Sequence, residues 1–190
     1  VLALFVGRLA LQFMKQYEET GLKARLPLLG GGTTTDESVL PQMGDEAVGA
    51  ITALHYSQAL DTPQNKAFAA AFEKKAGKIS SYYSEATYTG TRWIVEAVKL
   101  AAGKVEDREG LLTALRKVNL KESARGPISV DQWGNPVQNI YIRKVERVGG
   151  RLQNTVIATY PSVGQFWKYN PEEYLKQPLY TRDYPPCKHC

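Results

Sequence analysis

The run Gly30-Gly31-Gly32-Thr33-Thr34-Thr35 is the stretch of this 190-residue chain whose residue types speak most directly of chemistry. Glycines let backbone N–H groups come close to a small polar ligand, and threonine hydroxyls add donors and acceptors; a loop that merely needs positive φ angles reads the same way. The run is not a G-x-G-x-x-G fingerprint, and no helical pattern begins directly on it. A second candidate is Cys187-Lys188-His189-Cys190 at the chain end. A lone C-x-x-C can be half a zinc site, a redox pair or a disulfide. Zinc lacks a second ligand pair, since the other histidine is His55, and redox motifs sit at helix starts. A local disulfide between Cys187 and Cys190 in an oxidising compartment, or two free thiols, are the readings left. A third group is aromatic. Tyr82, Tyr83 and Tyr88 cluster where a long helix begins, and His55 and Tyr56 end an apolar run where they could line a cleft. Tyrosine offers an apolar ring with a polar tip, which suits a ligand with a hydrophobic body. No G-x-S-x-G elbow, Walker loop or H-E-x-x-H is present, so the chain reads as no enzyme, with no cofactor and no metal.

The surroundings of these residues are those of a globular chain, 43% hydrophobic and 23% charged, with no apolar run long enough for a transmembrane helix. The net charge of +5 raises the question of nucleic acid. The basic residues are scattered, however: Lys15, Lys23 and Arg25 near Glu18 and Glu19, Lys74, Lys75 and Lys78 at a helix end, Arg143, Lys144 and Arg147 along a hairpin beside Glu146. None interleaves with aromatics as a stacking platform would, so the expectation is a solvated basic surface and no nucleic-acid partner. Residue 1 is Val, the first six residues are all apolar, and no secretory-signal pattern is visible; the chain is expected to start inside a domain.

Positioning elements follow from the periodicity. Residues 1 to 6 read as a strand buried on both faces, Gly7 and Arg8 turn the chain into a helix carrying Leu9, Leu11, Phe13, Met14 and Tyr17, and Thr20-Gly21 ends it. Pro27-Leu28-Leu29 is a second strand running into the glycines. A right-handed crossover puts both loops, at 7 to 8 and 30 to 35, on the carboxyl edge of one parallel sheet, where ligands of open α/β sheets bind. Short helical turns fill 36 to 46, a third strand spans 48 to 56, and 57 to 62 is a boundary. Helices follow from Pro63 to Gly77, from 83 to 102 and from Asp107 on; after Gly126-Pro127 the period becomes two, with Gly149-Gly150 turning a hairpin. From Pro161 the chain loses periodicity and is expected to wrap a surface.

The succession Gln16-Tyr17-Glu18-Glu19-Thr20-Gly21-Leu22-Lys23, Pro27-Leu28-Leu29-Gly30-Gly31, Leu40-Pro41-Gln42-Met43-Gly44-Asp45 and Leu60-Asp61-Thr62-Pro63-Gln64-Asn65-Lys66-Ala67-Phe68 resembles the leucine/isoleucine/valine-binding family of periplasmic solute-binding proteins. So does Arg125-Gly126-Pro127 with Asn135-Pro136-Val137-Gln138-Asn139-Ile140-Tyr141. The ending from Tyr180 to Cys190 is similar to tails of a subgroup associated with aromatic or other organic acids. The resemblance implies an α/β, type I periplasmic-binding-protein fold with two Rossmann-like lobes and a C-terminal hairpin. Residues 1–57 would be part of lobe 2, 58–126 the helical part of lobe 1, 127–160 the return strands and hairpin to lobe 2, and 161–190 a tail. The chain would be a carboxyl-terminal half lacking an amino-terminal half, with apolar surface left open at 1 to 6 and on the helices from 63 to 118. It also implies a bacterial periplasmic location, a small-molecule solute and an ABC importer permease in the inner membrane. The family's second-lobe contacts fall on Val6-Gly7-Arg8 and on Gly31-Gly32-Thr33; Thr34 and Tyr56 complete the candidate set. Amino-acid binders place an acidic residue near Gly32, against the ligand's ammonium. With none there unless Asp36 or Glu37 reaches back, and with Arg8 at a helix start, the expected ligand is a carboxylate with an apolar or aromatic body. The alternatives are a branched-chain amino acid, or a ligand-sensing receptor module.

Overall fold

A computed structural model describes residues 1–186; the thiols of Cys187 and Cys190 lie outside the described residues. Strand β1 (Leu2–Ala3) leads through helix α1 (Arg8–Glu19) to β2 (Leu29–Gly31), and 3-10 turns lead from there to β3 (Ile51–Leu54). These three strands are parallel, with Leu2 opposite Leu29 and Leu29 opposite Ile51. Helices α2 (Pro63–Ala76), α3 (Tyr82–Leu100) and α4 (Arg108–Lys117) follow, then β4 (Ile128–Val130), β5 (Pro136–Val148), β6 (Arg151–Val163) and the short α5 (Pro171–Leu175). Among the described residues the six strands form one mixed sheet, in which β5 pairs antiparallel with β4, β3 and β6.

Helix α1 covers one face of the parallel strands. Ala10, Met14 and Tyr17, spaced by a helical turn, are buried with Ala3, Leu28, Leu40, Ala47, Ala50 and Val145. The expectation that residues 1 to 6 are buried on both faces is not met: Ala3 is buried, whereas Leu2 and Leu4 are 84% and 71% exposed. Alternate side chains of a strand face opposite ways, and α1 covers only one of them. Strand β2 also departs from the reading. It begins two residues late and runs through the glycines, because Leu29, Gly30 and Gly31 make the ladder to Ile51, Thr52 and Ala53.

Helix boundaries sit where the capping residues are. Thr62 Oγ1 accepts from the Asn65 N–H at 3.2 Å, Gly77 is left-handed at the end of α2, and Asp107 Oδ1 accepts from Gly110 N–H at 3.0 Å. Helix α2 packs Phe68 into a cluster with Tyr56, Leu60, Ala124 and Tyr141. Helices α3 and α4 meet through Ala97, Ala114, Val118 and Leu120 beside Ile128, and Trp93 Nε1 donates to the Leu115 carbonyl at 3.0 Å. Their other faces leave Ile94, Val95, Leu100 and Leu112 exposed. Past β6 the chain folds back, with Phe166 set between Trp133 and Tyr174 at 4.9 and 5.5 Å. No helix among the described residues is long and apolar enough to cross a membrane.

Candidate functional site

The carboxyl ends of β1 and β2 come together through threonine hydroxyls. Thr33 Oγ1 donates to the Phe5 carbonyl at 2.9 Å, and the Phe5 N–H donates to Thr34 Oγ1 at 3.2 Å. The 3-10 turn Gly32–Thr35 is thereby sewn to the last residues before α1, and the two segments singled out in the sequence, 6 to 8 and 31 to 34, become neighbours. Gly7 has φ +58°, a left-handed conformation open to glycine, and no side-chain cap covers the first turn of α1. Arg8 opens that helix and is exposed, as is Val6.

The glycines at the end of β2 and the start of the turn also have a packing role. Neither Gly31 nor Gly32 needs positive φ; they make room. A Cβ on Gly31 would meet Leu4, and one on Gly32 would lie 2.5 Å from Leu54 Cβ. Leu4 and Leu54 therefore lie close over the strand ends, giving that surface an apolar component. Gly31 and Thr33 are half-buried, while Gly32 and Thr34 are buried. Tyr56 does not line a cleft. Its ring is fully buried against Phe68, its hydroxyl lies 2.8 Å from Ser80 Oγ, and burial raises its phenol well above the ordinary range. His55 beside it meets Tyr82 edge-on at 5.9 Å, with Nε2 turned inward without a hydrogen-bond partner. Burial, with the positive charges of Arg125 and Arg143, pushes its pKa down to about 3, so the imidazole is neutral.

Sequence reasoning placed Arg143 on a solvated hairpin; it is 0% exposed. One NH2 group donates to the Gly32 carbonyl at 2.8 Å and to Thr52 Oγ1 at 3.1 Å, and NH1 donates to the Tyr56 carbonyl at 2.8 Å. Glu37 supplies the counter-charge at 3.7 Å. Its Oε1 also accepts from the Gln58 N–H at 3.2 Å and Asn154 Nδ2 at 3.1 Å, and burial raises its carboxyl pKa against the opposing pull of Arg143. Asp36 is buried too, with Oδ1 accepting the Ser38 N–H at 2.9 Å. Both acids are thus committed to the interior, and neither reaches back to the surface around Gly32. A second buried pair, Arg125 with Glu85, lies at the helical side, where Arg125 also donates to Gln138 Oε1 at 3.0 Å.

The alternation Tyr141, Arg143, Val145 was the signal that could have placed Arg143 inward, since the three share one face of β5 and all are buried. A cavity of about 780 Å³ opens elsewhere, between the α2–α3 corner and the β5–β6 turn, with Phe72, Ile79, Tyr83 and Leu152 in its wall; none of the eight candidate residues lines it. Among the described residues no group of three acidic, histidine or cysteine side chains is placed to hold a metal.

Parallel strands whose ends present a glycine turn and an uncapped helix start, continued by a helical segment and an antiparallel return hairpin, make a mixed α/β open-sheet architecture. The profile of the periplasmic binding protein family matches residues 1–151, and the chain belongs to that family. It is 33% identical over 163 residues to the Leu/Ile/Val-binding protein homolog 6 of Brucella melitensis, covering 83% of this chain and 41% of the relative. An ABC transporter substrate-binding protein from Sphaerobacter thermophilus superposes with TM-score 0.81 at 32% identity, over 85% of this chain and 44% of that one. A solute-binding protein of an ABC transporter from Rhodopseudomonas palustris, solved in complex with 3,4-dihydroxybenzoic acid, superposes with TM-score 0.79 at 38% identity, over 86% and 46%. The chain thus spans less than half the length of each.

Proposed function

We propose that the chain is the carboxyl-terminal part of a bacterial periplasmic solute-binding protein that delivers a small carboxylate with an apolar or aromatic body to an ABC importer permease. In this reading residues 1–57 and 127–160 belong to one lobe, 58–126 to the other, and 161–190 form the tail. The solute meets Val6, Gly7, Arg8, Gly31 and Thr33 at the surface, while Gly32, Thr34 and Tyr56 shape that surface from beneath. An amino-terminal half supplies the rest of the site.

The observation that carries the solute class is the commitment of Asp36 and Glu37 to the interior, which leaves exposed Arg8 as the charge among the candidate residues. A primary ammonium finds no carboxylate there; a carboxylate finds a guanidinium and the first N–H groups of α1. The exposed Leu4 and half-buried Leu54 offer the apolar contact. The relative solved with 3,4-dihydroxybenzoic acid supports the same class. Calorimetry on the intact protein tests it. Micromolar binding of benzoate or a hydroxylated benzoate is expected, weakened about tenfold by Arg8→Ala. Micromolar leucine binding without response to these acids overturns the reading in favour of a branched-chain amino acid.

A further inference from the structure

We infer that Arg143 is a positioning residue that makes the turn Gly32–Thr35 and the segments linking the two lobes a single mechanical unit. The inference rests on the strand ends being the solute surface, as proposed above. Arg143 belongs to β5, the return strand. Its three hydrogen bonds end on three separate parts of the chain: the carbonyl that opens the turn (Gly32), a side chain of β3 (Thr52) and the carbonyl of Tyr56, where the chain leaves β3 for α2.

The other end of the turn is held in the same manner from β6. Asn154 Nδ2 donates to the Thr35 carbonyl at 2.7 Å, Thr35 Oγ1 donates to Asn154 Oδ1 at 2.9 Å, and Ser57 Oγ donates to the Asn154 carbonyl at 2.6 Å. Both return strands therefore grip both the turn and the first residues of the exit segment. Filling the space would not require this pattern: an apolar side chain of similar volume packs without needing acceptors from three segments. A planar fork does, because it fixes the direction of each acceptor as well as its distance, which a lysine ammonium cannot. With the turn held before the solute arrives, binding loses less conformational entropy. A solute drawing on the turn also draws on the strands that return between the lobes.

The test compares two buried arginines in the intact protein. Arg143→Lys keeps the charge beside Glu37 and loses the fork; Arg125→Lys does the same beside Glu85, with no bond to the turn. Thermal midpoint and the dissociation constant for benzoate and 3,4-dihydroxybenzoate are measured on both. Both variants are expected to melt earlier, but only Arg143→Lys should bind at least about tenfold more weakly. Affinity within about twofold of the parent in Arg143→Lys, or equal weakening in the two variants, overturns the inference. Should Arg143→Lys not fold, Thr52→Val removes one acceptor of the fork, and with it the hydroxyl contact to Thr35 at 3.2 Å, and is expected to weaken binding about threefold, unchanged affinity counting against the inference. If the parent binds neither acid, the solute reading fails and amide exchange decides the inference: faster exchange at residues 32 to 35 in Arg143→Lys and not in Arg125→Lys upholds it, equal exchange overturns it.

Discussion

Arg143 and Arg125 are both buried guanidiniums facing a buried glutamate, yet they do different work. Two of the Arg143 bonds run to backbone carbonyls 111 and 87 residues away in sequence, and a third to the Thr52 side chain. Those of Arg125 run to side chains, Glu85 on α3 and Gln138 at the start of β5, while its own carbonyl accepts the Tyr141 hydroxyl at 2.7 Å. The first arrangement fixes where distant stretches of main chain lie relative to one another. The second ties the helical segment to the sheet through side chains. A buried ion pair by itself is weak evidence of stabilisation, because desolvation offsets much of its attraction. What separates the two is the number of independent segments each would release.

The largest expected effect follows from that difference. Arg143→Met leaves Glu37 without its cation and the Gly32 and Tyr56 carbonyls without this donor, and should cost toward the upper end of about 3–5 kcal/mol in denaturant unfolding, with Arg125→Met toward the lower end. Equal losses would erase the distinction. Gly32→Ala probes the same neighbourhood through packing. The new Cβ meets Leu54 Cβ at 2.5 Å and its Cγ and Cδ1 at 2.8 Å, and a loss of about 1–3 kcal/mol is expected in denaturant unfolding. A loss below about 0.5 kcal/mol would mean that Leu54 yields to the new methyl and that packing does not demand glycine there.

The pH dependence sharpens the comparison further, because His55 feels both arginines. Its native pKa of about 3 lies below the ordinary 6.5, so the unfolded chain takes up a proton that the native state refuses. The stabilising contribution is complete above pH 6.5 and declines as pH falls toward 3. By pH 5 the expected loss is about 2 kcal/mol. Glu37, with its raised pKa, acts in the opposite sense: protonation favours the native state, and its contribution is lost as pH rises. The measurement is therefore the difference in slope between the parent and His55→Gln. An unchanged slope in the variant would show that His55 is not held neutral.

The helices were legible in the sequence because their ends carry their own chemistry. Thr62 with Pro63, Gly77, and Asp107 act locally, and each sits where a cap belongs. The parallel pairing of β1 with β2 was legible too, from two apolar runs separated by a helical crossover. The start of β2 was not, since glycines read as loop when the neighbour that completes their ladder, β3, lies twenty residues on. The candidate site divides along the same line. Val6-Gly7-Arg8 and Gly31-Gly32-Thr33 came from position at the sheet edge and from resemblance. Tyr56 was misplaced and Arg143 missed, because burial of a polar group depends on partners supplied by remote segments. Composition describes an arginine as a surface residue until its carbonyl and carboxylate partners are known.

Strand β5 meets β4 through residues 136 to 138 and β3 through residues 141 to 144, while β6 runs along its other side with register irregularities at Gln138/Ile140 and Ile142/Arg143. Such a strand has a phase as well as a sequence. Inserting a single residue near Ile140 would rotate Tyr141, Arg143 and Val145 outward together and carry Ile142 and Lys144 into the interior. The guanidinium would then face water, and its acceptors on the turn would face nothing. A change of length is therefore costlier in the stretch from Gln138 to Lys144 than in the surface loops, because there the count of residues decides which side chains reach the interior.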